Sequence, residues 1–542
     1  MSLVIDFCNY NQRNKKPAAT LPSETDSACS NIPSLLETMA GVLSPPLYLF
    51  IGFIFICGLL KVLQLSWKKK KLLRTFKHFP GPPSHWFFGN SGQVIQSDEF
   101  NKNMEWAGKY PYGYPRWFGG FAASLVVHHP DYAKTIFGRG DPKSMITYRF
   151  LLPWIGKGLL VLDGPKWFQH RRLLTPGFHY DILKPYIAQI ADSTKVMLDK
   201  WKKLIAKDDM TSVEMFEHVS LMTLDSIMKC AFTSQSSNQT CRELDHYIKA
   251  VYDLTYLVSQ RVRNLLYRND LIYSYTSAGR LFLKACRLAH KHTEKVIEER
   301  KKSFREEGEL KKIQKKRSLD FLDILLSAKD ENGVGLSKED LRAEVDTFMF
   351  EGHDTTASGI SWLLYAMAQN PEHQQRCREE IKETLGDRDT VQWDDLGKMP
   401  YITMCIKESL RLYPPVPGVG RQLSKPVTFS DGRILPEGAT VFISIYCIHR
   451  NPSIWEDPEV FDPTRFSPEK SSHRHPHAFV PFAAGARNCI GQQFAMIEMK
   501  VALAQILLQF EVLPDPAKPP IPIPQIVLKS ENGIHLFLKK LS

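Results

Sequence analysis

Near the C-terminus, Phe482-Ala-Ala-Gly485-Ala-Arg487-Asn-Cys489-Ile-Gly491 sets a cysteine between two glycines, directly ahead of an apolar helical run from Gln492 to Leu508. Loop glycines let a backbone approach a flat ligand closely, and an arginine beside a helix N-terminus favours a bound anion. A buried structural cysteine, the usual fate of a lone Cys, accounts for neither the glycines nor Arg487. The chemistry these residues suit is presentation of one thiolate to a metal. A second set lies in Phe350-Glu351-Gly352-His353-Asp354-Thr355-Thr356, where Glu351 and Thr355 are four residues apart and Asp354 is three from Glu351, so helical spacing predicts that three polar groups converge. Phe348, Met349, Phe350, Ile360 and Trp362 predict burial around them. The plainer alternative is a pair of threonines bonded back to helix carbonyls beside a solvent-facing Asp.

Long elements must position these groups. Ser337-Lys-Glu-Asp340 reads as a capping box, and helical periodicity persists to Gln369 before Pro371 stops it, which predicts a helix of about 50 Å that crosses most of the globule. Glu408-Ser-Leu-Arg411 places an acid and a base at i, i+3, by itself a spacing typical of weak surface pairs. It is followed by Tyr413-Pro-Pro415 and by Phe461-Asp-Pro-Thr-Arg465-Phe466, while Trp167-Phe-Gln-His-Arg171 lies upstream. Ile526 to Leu528 and Ile534 to Leu538 flank Asn532-Gly533, a hairpin signal.

These motifs together resemble those of the cytochrome P-450 enzymes, family four, and look most like its subfamily B, over Pro80 to the C-terminus. The resemblance implies a mainly α fold, a helical prism with small β-sheets and a long central helix. It implies haem b with Cys489 as the axial thiolate, a ligand that promotes O–O cleavage. It makes Asp354 and Thr355 the acid–alcohol pair that delivers protons, with Gly352 leaving room and His353 given no role. Most of the family has alanine or glycine where this chain has Glu351; in family four the matching glutamate forms an ester with a haem methyl group, so Glu351 is expected to tether the cofactor. Trp167, Arg171, Arg421 and Arg487 stand where relatives contact the haem propionates, and Glu408, Arg411 and Arg465 match a buried network. Ala483 and Ala486 replace the serine or glycine and the proline of many relatives and bear on loop rigidity only.

The expected activity is haem-thiolate monooxygenation: terminal hydroxylation of medium-chain fatty acids or alcohols, and oxidation of small lipophilic foreign compounds. No G-x-G-x-x-G or P-loop is present, so electrons must come from a separate NADPH-cytochrome reductase, with cytochrome b5 as a further partner. Two other readings are a haem-thiolate isomerase or dehydratase acting on peroxides, which the intact Asp354-Thr355 pair argues against, and a non-catalytic haem protein that binds a gas.

The 542 residues, 43% hydrophobic, can bury a large core, and the stretch after Pro80 has no flexible linker or repeat, which favours one domain over residues 84–542. Ten scattered cysteines without C-x-x-C pairs argue against zinc ribbons and a disulfide framework. The net charge of +12 lies in short runs such as Lys68 to Lys71 and Lys311 to Arg317, which suits a membrane surface or an acidic protein better than nucleic acid. Residues 47–67 form an apolar run about long enough to span a bilayer, followed by lysines, so an uncleaved signal anchor is expected. The positive-inside rule then puts residues 1–46 on the luminal side and the catalytic part in the cytosol, at the endoplasmic reticulum membrane, with Asn238-Gln-Thr240 unglycosylated. Residues 68–83, basic and then proline-rich, read as a stiff hinge.

Overall fold

The unbroken apolar run near the N-terminus forms a single helix, α1 (Pro45–Thr75), whose segment Tyr48–Thr75 is long and apolar enough to cross a membrane. Described in this computed structural model are residues 45–206, 211–232, 239, 242–306, 320–329, 333 and 335–541. Most of the N-terminal extension, the Asn238 and Thr240 positions and the Lys311 to Arg317 cluster lie outside them. The chain divides into two compact units, Met1–Trp67 and Lys68–Ser542. Lys68 to Lys71 are helical: nothing in that run breaks i to i−4 bonding until the chain nears Pro80. The second half of the expected hinge is fixed by packing within the larger unit. Phe79 is buried edge-on against Phe429, and a side chain at Gly81 would meet the Pro115 ring at 2.7 Å.

Helices dominate the larger unit. The elements that matter for the site are α2 (Gly164–Leu174), α3 (Met215–Phe232), α4 (Arg242–Arg263), α5 (Lys338–Gln369), α6 (Pro400–Leu412) and α7 (Gln492–Gln509). The expected long helix is α5, whose 32 residues span about 48 Å. Ser337 caps it by accepting from the Asp340 amide at 3.0 Å, but no reciprocal bond accompanies this, since the Asp340 carboxylate instead holds Lys166 of α2 at 2.7 Å. Asn370 then leaves helical geometry ahead of Pro371. Burial covers almost the whole of α5 from Ala343 to Ala368, so it runs through the core with buried polar groups such as Glu344, Asp346 and Asp354 among its apolar residues. At Gly352 α5 packs tightly against α3: a Cβ there would lie 3.0 Å from Ile227. Its missing side chain therefore serves helix–helix approach as well as the adjoining cavity.

The larger sheet contains β1 (Gly113–Trp117), β2 (Ala123–Val127), β3 (Gly418–Gln422) and β4 (Thr440–Ser444) in the order β1-β2-β4-β3. β2 and β4 are parallel and the other pairs antiparallel, with Leu125 opposite Val441 and Arg421 opposite Val441 on the other side. The Asn532-Gly533 hairpin is not formed. Gly533 does take a left-handed turn at φ +80°, but the strands on either side pair elsewhere: β6 (Lys529–Ser530) with β5 (Pro522–Ile523), and His535–Lys540 with Phe510–Pro514 and Ser212–Glu214. The turn residues were legible, whereas the partners are set by tertiary packing.

Candidate active site

The loop before α7, the middle of α5 and the β3 edge close on one cavity of about 410 Å³, lined mainly by apolar side chains such as Phe100, Leu151, Phe350, Val419, Phe442 and Ile526. Cys489 lies on the loop with its residue exposed to this cavity, and its amide donates to the Phe482 carbonyl at 3.0 Å. Gly485 adopts φ +72°, and a Cβ there would come within 1.9 Å of the Phe137 carbonyl, so only glycine lets the loop dock on the helix Pro130–Phe137. Ala483, at φ +57°, occupies the left-handed region without glycine's freedom, a cost of about 1 kcal/mol. Burial pushes the Cys489 thiol up to about 11, reinforced by Glu351 and opposed by the Gly491 amide, Arg171 and Lys143. A metal taken up here must therefore displace a proton.

On α5, Glu351, Gly352, Thr355 and Thr356 all line this cavity. Thr355 Oγ1 donates to the Glu351 carbonyl at 2.6 Å and Thr356 Oγ1 to the Gly352 carbonyl at 3.0 Å, the back-bonded arrangement weighed as the plainer alternative. With its proton so committed, the Thr355 oxygen is left to accept from the cavity side. Burial raises the Glu351 carboxyl, with Glu344 adding and Lys143 opposing, while the same burial and Arg421 lower the Lys143 ammonium.

The expected convergence fails at Asp354. Its carboxylate does not line the cavity that holds Glu351 and Thr355; it faces a second one and accepts from Lys529 Nζ at 2.5 Å. The ion pair is made with a residue 175 positions away. His353 is buried, its Nδ1 at 2.7 Å from the Met349 carbonyl.

Cations gather around the loop. Arg171 of α2 donates to the Asn488 carbonyl at 2.9 Å and to Asn488 Oδ1 at 2.8 Å. Arg487 stacks on Trp167 with its guanidinium 4.2 Å from the ring centroid, donates to the Leu162 carbonyl at 2.7 Å, and leaves its buried Nε without a partner. Arg421 is also buried with Nη2 unpartnered; it does not itself line the cavity, although Gly420 beside it does. Burial and the nearby Arg421 pull Arg487 down to about 10. Lys143, which the sequence reading missed, bridges to Arg421 through the backbone and lines the cavity while only 8% exposed. No spacing signals Lys143, because its place depends on a strand pairing across the chain.

Buried cations with unused donors are costly unless an anion completes them. The expected haem fits this set: its two propionates would meet Arg487 and Lys143 on the cavity wall, with the buried charge of Arg421 behind them, its ring the apolar lining, and its iron the Cys489 sulfur.

Behind the loop, Glu408 and Arg411 of α6 are both fully buried and joined by two bonds of 2.7 Å, with Arg465 Nε 3.4 Å from Glu408 Oε1. Arg411 also donates to the carbonyls of His449 at 3.0 Å and Val460 at 3.0 Å.

Comparison with known proteins agrees with this geometry. Residues 79–537 match the family model described as Cytochrome P450. The rat protein Cytochrome P450 4B1 is 57% identical over 483 residues, covering 89% of this chain and 94% of its own length. Human Cytochrome P450 4A11 is 57% identical over 507 residues, covering 94% and 96%, and rabbit Cytochrome P450 4A6 is 58% identical over 483 residues, covering 89% and 94%. The expected mainly α fold, the haem cofactor with cysteine thiolate ligation, a lipophilic substrate and a separate redox partner reductase all follow from membership. The chain belongs to the cytochrome P450 family of haem-thiolate monooxygenases, within its family four.

Proposed function

We propose that this monooxygenase hydroxylates terminal or near-terminal carbons of medium-chain fatty acids or alcohols, accepts small lipophilic foreign compounds, and holds its haem by an ester through Glu351. The observation that carries this reading is that Glu351 lines the same predominantly apolar cavity as Cys489. When bound, the haem supplies oxygen activation and C–H oxidation. The chain's own residues do the rest. Cys489 holds the iron; Trp167, Arg171, Arg421, Arg487 and Lys143 orient and neutralise the propionate edge; the apolar lining excludes water and receives the alkyl chain. Thr355 accepts a hydrogen bond from the cavity and Asp354 supplies protons from its own side of α5. An ester through Glu351 would restrict movement of the ring, which suits oxidation of a methyl group whose C–H bonds are stronger than those of the neighbouring methylenes.

The same reading places residues 47–67 as a single-pass anchor in the endoplasmic reticulum membrane, with residues 1–46 luminal, 68–83 as the junction and 84–542 as a cytosolic domain that takes electrons from NADPH-cytochrome reductase, with cytochrome b5 as a second donor. The exposed apolar residues along α1 support the anchor.

Acid–acetone extraction tests the tether. A fraction of the wild-type haem is expected to stay with the protein, and all of it to leave Glu351→Ala, in which hydroxylation moves from the terminal methyl towards the adjacent methylenes. Complete extraction from the wild-type enzyme after turnover would contradict the ester, and products confined to inner carbons of a medium-chain fatty-acid series would contradict the regiochemistry.

A further inference from the structure

Charged side chains line the active-site cavity in two groups. Lys143, Arg171, Glu351 and Arg487 belong to the cofactor site already described, whereas Glu99, Arg116 and Arg263 have no part in it. This second group is assembled from three elements: Glu99 opens the helix Glu99–Lys109, Arg116 stands on β1 and Arg263 ends α4. Glu99 Oε1 accepts from Arg116 Nη1 at 2.7 Å, and Oε2 accepts from Arg263 Nη2 at 2.8 Å and Nε at 3.1 Å. Burial opposes the charge on Glu99, yet the two guanidiniums hold its carboxyl down to about 2. Ile95 and Asn264, close by in the chain, are exposed, so the group lies where the cavity nears the surface.

Two guanidiniums around one carboxylate leave a surplus positive charge on a cavity whose lining is mainly apolar. Their donors are unevenly used. Arg263 turns its Nε–Nη2 edge to Glu99, gives Nη1 to the Ser259 carbonyl at 3.0 Å, and meets the Pro524 carbonyl through Nη2. Arg116 uses Nη1 alone: among the described residues nothing accepts from its Nε or Nη2. Its side chain is 13% exposed, and Phe118, whose ring centroid lies 5.2 Å from the guanidinium, lines the same cavity. Nε and Nη2 together form the planar fork that takes a carboxylate through two parallel bonds. Asn103, one turn along the helix from Glu99, adds a second donor to the lining: its Oδ1 accepts from Tyr114 at 3.2 Å, and its amide nitrogen makes no bond among the described residues.

We propose that the Nε–Nη2 edge of Arg116 binds the carboxylate of a fatty-acid substrate, with Glu99 and Arg263 as positioning residues that fix the guanidinium, and that this contact makes the enzyme prefer acids to alcohols of equal chain length. The proposal rests on the reading of medium-chain fatty acids as substrates. A carboxylate is costly in an apolar cavity unless a cation meets it. Here it is met near the surface, while the alkyl chain takes up the apolar lining that Cys489 shares. Glu99 stays in place as the acid binds, because Arg263 holds it by two bonds of its own.

The test uses the full-length, haem-loaded enzyme and reads the substrate-induced shift of its ferric Soret band, which needs no turnover. Wild type is expected to bind dodecanoate several-fold more tightly than methyl dodecanoate or dodecanol. In Arg116→Met the dissociation constant for dodecanoate should rise about tenfold, as expected for loss of a charge-assisted bidentate contact, while those for the ester and the alcohol stay within about twofold. Arg116→Lys, which keeps the charge and loses the fork, should fall between the two. The proposal is overturned if Arg116→Met weakens acid and alcohol alike or leaves the acid unaffected, since either result makes the group a structural ion pair only. Should that variant fail to load haem, wild type decides: equal affinity for acid and methyl ester overturns the proposal, and a preference for the acid that falls as salt is raised upholds it. The underlying reading fails separately. A wild-type enzyme, reconstituted with its reductase, that oxidises dodecanol but neither shifts with nor oxidises dodecanoate removes fatty acids as substrates and the carboxylate contact with them, whereas oxidised dodecanoate together with an unselective Arg116→Met removes the contact alone.

Discussion

Cys489→Ser is expected to eliminate both the thiolate-type Soret band of the reduced carbon-monoxide complex and substrate hydroxylation, while leaving the protein folded. The backbone that shapes the loop does not depend on the sulfur. The residue 489 amide bonds to the Phe482 carbonyl, Arg171 grips Asn488, and Gly485 seats the loop against Phe137. What disappears is a ligand able to bind as an anion. The thiol here is pushed up to about 11 by burial, still within reach of deprotonation by a bound metal, whereas a serine hydroxyl is a far weaker acid and a harder ligand. Absorbance of the reduced carbon-monoxide complex and product formation check this together. A variant that keeps the wild-type band would place the iron ligand elsewhere.

Glu408→Ala is expected to yield protein with little or no haem and a markedly lower melting temperature. Arg411 is 0% exposed, and two of its donors end on Glu408. Removing the carboxylate strands that guanidinium and leaves Arg465 without its partner, at a cost of about 3–5 kcal/mol, a large part of a total stability of about 5–15 kcal/mol. The damage reaches the cofactor loop by a short path. Arg411 holds the His449 carbonyl, and His449 Nε2 accepts from the Val480 amide at 2.9 Å, two residues before Phe482. Burial, with Arg411 and Arg450, drives His449 down to about 3, so its ring stays neutral and Nε2 remains an acceptor at any physiological pH. Haem content per polypeptide and thermal melting measure the effect. Wild-type haem content in Glu408→Ala would mean that the network stabilises nothing the loop needs.

Much of this site was legible in the sequence because its elements are local. The cysteine loop, α7 and α5 are each contiguous, so glycine spacing, helical periodicity and the proline stop place them, and α7 runs from Gln492 as expected. The resemblance to a known family supplied the cofactor that spacing alone leaves open. What escaped the reading depends on contacts between distant segments. Lys143 joins the cation cluster where its backbone bridges to Arg421, and Lys529 pairs with Asp354 across 175 residues. Helical spacing placed Glu351 and Thr355 on one face, but Asp354 sits about 100° round the helix from Thr355, and on that side it meets a buried ammonium. The same holds for Asn532-Gly533, where a good turn joins strands that find their partners elsewhere. Lys68 to Lys71 are helix, since lysine has good helical propensity and nothing nearby interrupts the ladder.

Iron-edge X-ray absorption on the resting, haem-loaded enzyme tests the central claim most directly, because it reads the atom bonded to the metal. The account predicts one directly bonded sulfur scatterer in the wild-type protein, absent from Cys489→Ser. A wild-type spectrum with only nitrogen and oxygen neighbours, or a sulfur that persists in Cys489→Ser, would contradict it.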